Sequence, residues 1–174
     1  MKKTDNHYIK EKILLRQEVI SSIDNPKVLE CFGGKGKLYQ DIKADILSIE
    51  IIPNKYPKPH LQGDSLKFLK SLDLTKFNII DLDAYGIPFK HLEEIFKSKF
   101  KGTVIVTAIQ TGMGKLPNGL LNRLGYTSNM INKIPTLFNR NGVEKLKNYL
   151  YLNGVKQITG YFIDRKNYFY FNIN

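Results

Sequence analysis

The chain has 174 residues, 42% of them hydrophobic and 25% charged, a globular composition that excludes wholesale disorder. Lys and Arg number 27 against 16 Asp and Glu, and the resulting +11 points to a polyanion partner, nucleic acid before an anionic membrane surface; the alternative is a lysine-rich surface that only solvates the fold. Cys31 is the only cysteine, which excludes an internal disulfide, and His7, His60 and His91 lie too far apart for a zinc-type spacing, so no metal site is expected.

Residues 8–23 place Ile9, Ile13, Leu15, Val19, Ile20 and Ile23 at helical spacing with charges between them, an amphipathic helix closed by Pro26. Lys27 to Phe32 reads as the first strand and is followed by a turn rich in glycine (Gly33, Gly34, Gly36) and a short helix over Lys37–Ile42. A second strand is expected at Ala44–Ile51, a Pro-rich loop at Pro53–Pro59, a brief third strand near His60–Gln62, and a helix from Asp64-Ser65 to Leu72. Phe77–Leu82 and Thr103–Ile109 are apolar runs of buried-strand type, with a helix begun by Pro88 between them. A Gly/Pro-rich loop at Gln110–Gly119 leads through an unassigned segment to a helix over Val143–Leu152. Strands at Lys156–Ile163 and Asn167–Ile173 follow, joined by Asp164-Arg165-Lys166. The β–α alternation predicts one α/β domain over residues 1–174, a Rossmann-like, doubly wound, mainly parallel seven-stranded sheet with a C-terminal antiparallel hairpin at its edge. No run is long enough to span a bilayer and none near the N-terminus has the length of a signal peptide, so a soluble cytoplasmic protein is expected, of undetermined oligomeric state.

The stretch Val28–Tyr39 (V-L-E-C-F-G-G-K-G-K-L-Y) is strand, tight turn, helix, and its glycines let the main chain approach a ligand closely. A phosphate-binding loop needs Ser or Thr after Gly36-Lys37, where Leu38 stands. A dinucleotide fingerprint needs a third glycine where Tyr39 stands. The acid-x-(Gly or Phe)-x-Gly-x-Gly pattern of S-adenosylmethionine loops is met by Glu30, Phe32, Gly34 and Gly36. Glu50 at the end of the second strand is placed to accept ribose hydroxyls, and Asp64 to accept from an adenine amine or to cap its helix. In this conjunction the chain resembles the class I methyltransferases. The resemblance implies S-adenosyl-L-methionine as cofactor, with contacts from Glu30, Phe32, Gly33, Gly34, Gly36, Glu50, Ile51, Asp64 and Ser65.

Phe77–Pro88 (F-N-I-I-D-L-D-A-Y-G-I-P) resembles the fourth motif of amino-group methyltransferases, and most of all that of the tRNA guanine N2-dimethyltransferases, which runs I-D-L-D-P-Y-G-S-P. Asp81, Asp83, Tyr85, Gly86 and Pro88 match, Ala84 replaces a proline, and the similarity fades by Thr111 without carrying a tRNA position with it. The resemblance implies methylation of an exocyclic base amine, RNA before DNA, with Asp83, Tyr85 and Asp81 as catalytic residues. Asp83 would accept an N–H, localise the amine lone pair and take its proton, and Tyr85 would stack on the base. The turn is expected to be loosened by the loss of proline at Ala84. Asp81 shares the face of Asp83 and either couples to it or is bonded to main chain. Lys35, Lys37 and Lys115 are the candidate phosphate contacts, and the Tyr/Phe run over Tyr161–Phe171 is strand core before it is a stacking platform. Methylation of DNA, protein or a small molecule, and a non-catalytic nucleic-acid-binding module on the same fold, are the alternatives.

Overall fold

A computed structural model describes residues 8–53, 55–110, 114–163 and 165–174. His7, Thr111 and Asp164, which entered the sequence reading, lie outside the described residues. Seven strands form one sheet: β1 (Lys27–Glu30), β2 (Asp45–Glu50), β3 (Leu61–Gln62), β4 (Ile79–Asp83), β5 (Gly102–Ile109), β6 (Thr159–Ile163) and β7 (Lys166–Ile173), in the order β3-β2-β1-β4-β5-β7-β6. The strands β1 to β5 pair in parallel, and β7 pairs antiparallel to both β5 and β6.

The helices are α1 (Ile9–Ser21), α2 (Ser65–Ser71), α3 (Phe89–Lys97), α4 (Asn118–Arg123), α5 (Ser128–Lys133), α6 (Pro135–Phe138) and α7 (Gly142–Leu152). One face of the sheet presents Leu29, Ile80, Leu82, Val104, Val106, Phe169 and Phe171 to α2, α3 and α7 in an apolar core. The alternate residues Val28, Ile79, Ile105 and Tyr168 meet α1 on the other face, with Leu15 and Val19. Strands covered on both sides have no solvated face, which is why β4 and β5 are apolar on both faces except at Asp81, Asp83 and the threonines of β5.

The structure departs from the sequence reading in the loop after the glycine turn, and it fills in the segment left unassigned and the order of the last two strands. The helix expected over Lys37–Ile42 is a single 3₁₀ turn, Lys37–Tyr39. Residues 31–44 must turn at the top of β1 and return to the foot of the parallel strand β2, and Tyr39 is drawn beneath the sheet, so little chain remains for a helix. The segment up to Asn141 folds as the short helices α4, α5 and α6. At the C-terminus the expected antiparallel hairpin stands at the edge of the sheet, with β6 outermost. β7 (K-N-Y-F-Y-F-N-I) buries Tyr168, Phe169 and Phe171, whereas Tyr161 and Phe162 of β6 remain exposed, so the more apolar strand takes the inner position. The run over Tyr161–Phe171 is therefore core through its β7 half.

Close pairing of β6 with β7 depends on Gly160, at φ +155°, where a Cβ would overlap the Tyr168 carbonyl oxygen and the backbone of Phe169. Replacing Gly160 with Ala is expected to lower stability by about 2 kcal/mol or more, read as an earlier urea midpoint at unchanged slope.

Candidate active site

Strand register gathers the polar side chains on the α1 face, at the C-terminal edge of the sheet. Ser48, Glu30 and Asp81 are cross-strand neighbours on β2, β1 and β4, and Asp83 lies beside Thr107 of β5 in the next row. Two positions of the buried stripe of α1 answer these acids: Lys12 and Arg16, one turn apart among Leu15, Val19 and Ile20. Arg16 forks over Asp81 with Nε to Oδ2 at 2.7 Å and Nη2 to Oδ1 at 2.8 Å, while its Nη1 donates to the Lys12 carbonyl at 2.9 Å. The Tyr39 hydroxyl adds a third bond to Asp81, at 2.7 Å. Lys12 Nζ reaches Asp83 Oδ1 at 2.7 Å and Thr107 Oγ1 donates to the same oxygen at 2.6 Å.

These surroundings set the protonation states. Burial works to raise the Asp83 carboxyl, but Arg16 and Lys12 outweigh it and hold Asp83 below the usual carboxylate range. Burial pushes Asp81 upward against the pull of Arg16, and raises the Tyr39 hydroxyl, with the charge of Asp81 adding to that rise. Glu30 has no cation to itself. Burial, reinforced by the charge on Asp81, pushes it up to about 8 against a hydrogen bond from Ser48 Oγ at 2.6 Å. The three acids thus face two cations, and the third acid takes up a proton.

Asp81 is wholly buried beneath α1, with its oxygens bonded to Arg16 and Tyr39. The contact with substrate expected of Asp81 does not fit this placement: the side chain is sealed from the cavity and uses both oxygens to tie Arg16 of α1 and Tyr39 to β4. Its partners are side chains, not the main chain.

The glycine turn stands where β1 ends. Gly34 and Gly36 take positive φ (58° and 69°), and the Gly33 N–H bonds to the Ile49 carbonyl at 2.9 Å. Tyr56, from the loop between β2 and β3, packs where a Cβ of Gly33 would stand, and its hydroxyl lies beside Ser48 and Glu30. Glu30 is thereby placed beneath the turn. Glu50 accepts the Gly34 N–H at 2.7 Å and the Ile52 N–H at 2.9 Å, which fixes the turn, and Lys55 Nζ stands 3.6 Å from the oxygen that accepts from Gly34. Ile51 beside it is exposed. Asp64 caps α2 through the Leu66 N–H at 2.9 Å. Ser65 is buried against His91 Nε2 at 2.9 Å, and the His91 ring packs on Phe32 with centroids 4.9 Å apart. Burial lowers the His91 pKa, with Asp64 pulling the other way, so the ring is neutral at pH 7.

A cavity of about 170 Å³ brings the glycine turn together with the end of β4, lined by Phe32, Gly33, Gly34, Lys12, Asp83, Ala84 and Tyr85, with Lys35 and Lys37 on its rim, whereas Glu30, Gly36, Glu50, Ile51, Asp64 and Ser65 do not line it. Tyr85 is 68% exposed at the mouth. The turn after β4 is tied to β5 by the bond from the Ile109 N–H to the Gly86 carbonyl at 3.0 Å, which supplies the restraint that Ala84 lacks. Lys115 does not share this cavity; it lines a neighbouring cleft that begins at Gly86 and Ile87. Sequence reasoning missed Lys12, Arg16, Tyr39, Thr107 and His91. The signal for the first two was present as cations at i and i+4 inside an otherwise apolar stripe.

No family model and no curated protein matches the sequence. Solved structures do match its fold. A candidate S-adenosyl-L-methionine-dependent methyltransferase of Methanococcus maripaludis aligns over 95% of this chain and 87% of its own, with TM-score 0.50 and 15% identity. The CurJ carbon methyltransferase aligns over 93% of this chain with TM-score 0.55 and 9% identity. A candidate O-methyltransferase of Nostoc punctiforme aligns over 95% with TM-score 0.51 and 13% identity. This chain spans 53% and 56% of the length of the latter two. The fold is the Rossmann-like fold of class I methyltransferases.

The elevated Glu30 has a consequence for stability. In the unfolded chain this carboxyl ionises near 4.5 and in the folded protein near 8. Between those values the folded state holds the extra proton, so Glu30 costs stability progressively as pH rises through that window. Glu30→Gln is expected to remove this loss, so that its melting temperature gains on the wild type from pH 5 to pH 9, by the equivalent of a few kcal/mol at the upper end. Parallel thermal scans across that range measure the difference.

Proposed function

We propose that this protein is a methyltransferase that uses S-adenosyl-L-methionine to methylate an exocyclic amine of a nucleobase in RNA, with the described chain acting as one catalytic domain. The observation that carries the reading is the cavity shared by the glycine turn, Asp83 and Tyr85. A Cβ on Gly34 would meet only the Phe32 carbonyl, at 3.8 Å, so the turn leaves open space on the cavity side. A cavity of about 170 Å³ suits the amino-acid end of the cofactor at Phe32 and Gly34. Glu50 would hold the ribose, and the exposed Ile51 with Asp64 and Ser65 would hold the adenine. When bound, the cofactor supplies an electrophilic methyl group on a sulfonium.

The chain's own residues do the rest. An exocyclic base amine is a poor nucleophile because its lone pair is delocalised into the ring, and Asp83 accepts one N–H to localise it. Arg16 and Lys12 keep the Asp83 carboxylate ionised, with Lys12 and Thr107 sharing one of its oxygens, so Asp83 serves as an acceptor and a stabiliser of the developing positive charge. Asp83 also takes the proton that nitrogen sheds on gaining the methyl, because the alkylated amine is the stronger acid, and passes it to water at the open rim. Tyr85 offers the face on which an unstacked base rests, and Lys35 and Lys37 attract the adjoining phosphates. The charge of +11 supports a nucleic-acid substrate, and the resemblance of Phe77–Pro88 supports a guanine N2 amine in tRNA.

The test has two readouts. S-adenosyl-L-methionine well above micromolar concentration is expected to raise the melting temperature. Labelled methyl transfer to total tRNA, rRNA or DNA, followed by nucleoside analysis, identifies the product, and label in tRNA is expected. Asp83→Ala is expected to lower transfer by about 100-fold or more while the melting shift persists. Undiminished transfer in that variant removes Asp83 from the mechanism, and absence of a melting shift in the wild type removes the cofactor.

A further inference from the structure

Among the four arginines of the sequence, Arg16 is committed to Asp81 and Arg123 to Glu93 at 2.8 Å. The remaining two, Arg140 and Arg165, are both exposed and both line one cleft of about 680 Å³, together with Lys115. They arrive from separate segments: Lys115 from the loop after β5, Arg140 from the link between α6 and α7, and Arg165 from the turn between β6 and β7. Among the described residues no carboxylate lines this cleft and none stands within ion-pair distance of these three cations. Glu144, in the first turn of α7, is paired with Lys147 at 3.2 Å.

The frame of the cleft is built. Gln110 Nε2 donates to the Gly114 carbonyl and, at 2.7 Å, to the Asn139 carbonyl, while Asn139 Oδ1 accepts the Leu116 N–H at 2.8 Å. The Gln110 N–H bonds to the Arg165 carbonyl at 2.9 Å, pinning the β6–β7 turn to the end of β5. Gly142 lets α7 approach this frame, because a Cβ there would stand 2.5 Å from Gln110 Oε1. Lys115 also lines the cleft of about 430 Å³ that begins at Gly86, next to Tyr85. Lys115 is thus common to the two clefts, and the first of them starts at the residue that follows Tyr85 in the chain.

We infer that the cleft between the α6–α7 link and the β6–β7 turn binds successive phosphates of a single-stranded RNA segment, with Arg140 and Arg165 as the phosphate contacts and Lys115 as the link to the base held at Tyr85. This rests on the nucleic-acid reading of the site above. The planar fork of arginine matches two phosphate oxygens at once, which a lysine point charge does not, and the two arginines without an ion pair among the described residues both line this cleft. With the base turned out at Tyr85, the flanking strand has a path whose charge complements it.

The experiment measures binding of a fluorescently labelled single-stranded RNA oligonucleotide by anisotropy across a salt series. It compares the wild type with Arg140→Gln, Arg165→Gln, the double variant, and a control, Lys99→Gln/Lys101→Gln, at the opposite edge of the sheet where β5 begins. The double variant is expected to lower the slope of log K against log salt by about 1.4, the loss of two phosphate contacts on a single strand, and the control to leave it unchanged. An unchanged slope in the double variant, or an equal fall in the control, overturns the inference. Displacement of the RNA by inorganic pyrophosphate at micromolar concentration also overturns it, assigning the cleft to a free phosphate compound. Melting shifts with S-adenosyl-L-methionine in the same proteins keep the two readings apart. Arginine-dependent RNA binding without a cofactor shift leaves the cleft standing and removes methyl transfer; a cofactor shift with arginine-independent RNA binding removes the cleft alone. Both arginine side chains are exposed, so the substitutions leave the core intact.

Discussion

The fork of Arg16 over Asp81 is the interaction on which the architecture of the candidate site depends. Both side chains are fully excluded from water, and each is tolerable there only because the other is present. Removing one partner from a buried pair of this kind costs about 3–5 kcal/mol, because the survivor is left charged in an apolar surround. The pair anchors α1 across β1 and β4, and the helical repeat then delivers Lys12 to Asp83 one turn away. It also draws Tyr39 under the sheet, which shortens the chain after the glycine turn to a single 3₁₀ turn. One ion pair thus sets the wall of the cavity, the partner of its acceptor carboxylate and the form of its glycine loop.

The two faces of the sheet divide the work between stability and chemistry. The face under α2, α3 and α7 is apolar throughout, and carries the bulk of the buried aromatic and aliphatic side chains. The α1 face is apolar only toward the start of the parallel strands, and turns polar at their C-terminal ends. There Glu30, Asp81 and Asp83 are close enough that all three cannot ionise against Lys12 and Arg16 alone. Glu30, buried beside Ser48 and without a cation of its own, takes the proton. Asp83, nearest the opening, is held in its charged form by Arg16 and Lys12, as its proposed role requires.

The glycine turn meets the cavity without a long helix behind it. The expected set of free helical N–H groups aimed at the ligand is therefore reduced to the turn itself, held by Glu50 at Gly34 and by Tyr56 against Gly33. Beyond Tyr85 the surface remains open, and the segments after β5 that build the basic cleft are those with the least regular structure in the sequence.

The sequence by itself determined the strand runs, the glycine turn, the cap at Asp64 and the acid-aromatic pair Asp83 and Tyr85. Each is a local pattern, a matter of side-chain period or of a residue suited to one backbone geometry. The seven strands and the placing of most helices followed from the same periods. The tertiary structure alone decided what those residues touch. Asp81 and Asp83 are alternate residues of one strand, yet one is sealed under Arg16 and the other opens to the cavity, because α1 covers the first row of the sheet and stops at the second. The cations that govern them lie 65 and 71 residues away in the chain, inside a stripe whose period announces burial and says nothing of its partner. Position of the last strand depended likewise on comparing two strands for burial, and the meeting of Lys115, Arg140 and Arg165 on loops converging from three places. Long-range pairing of charges is a property of the packed sheet, and no local pattern encodes it.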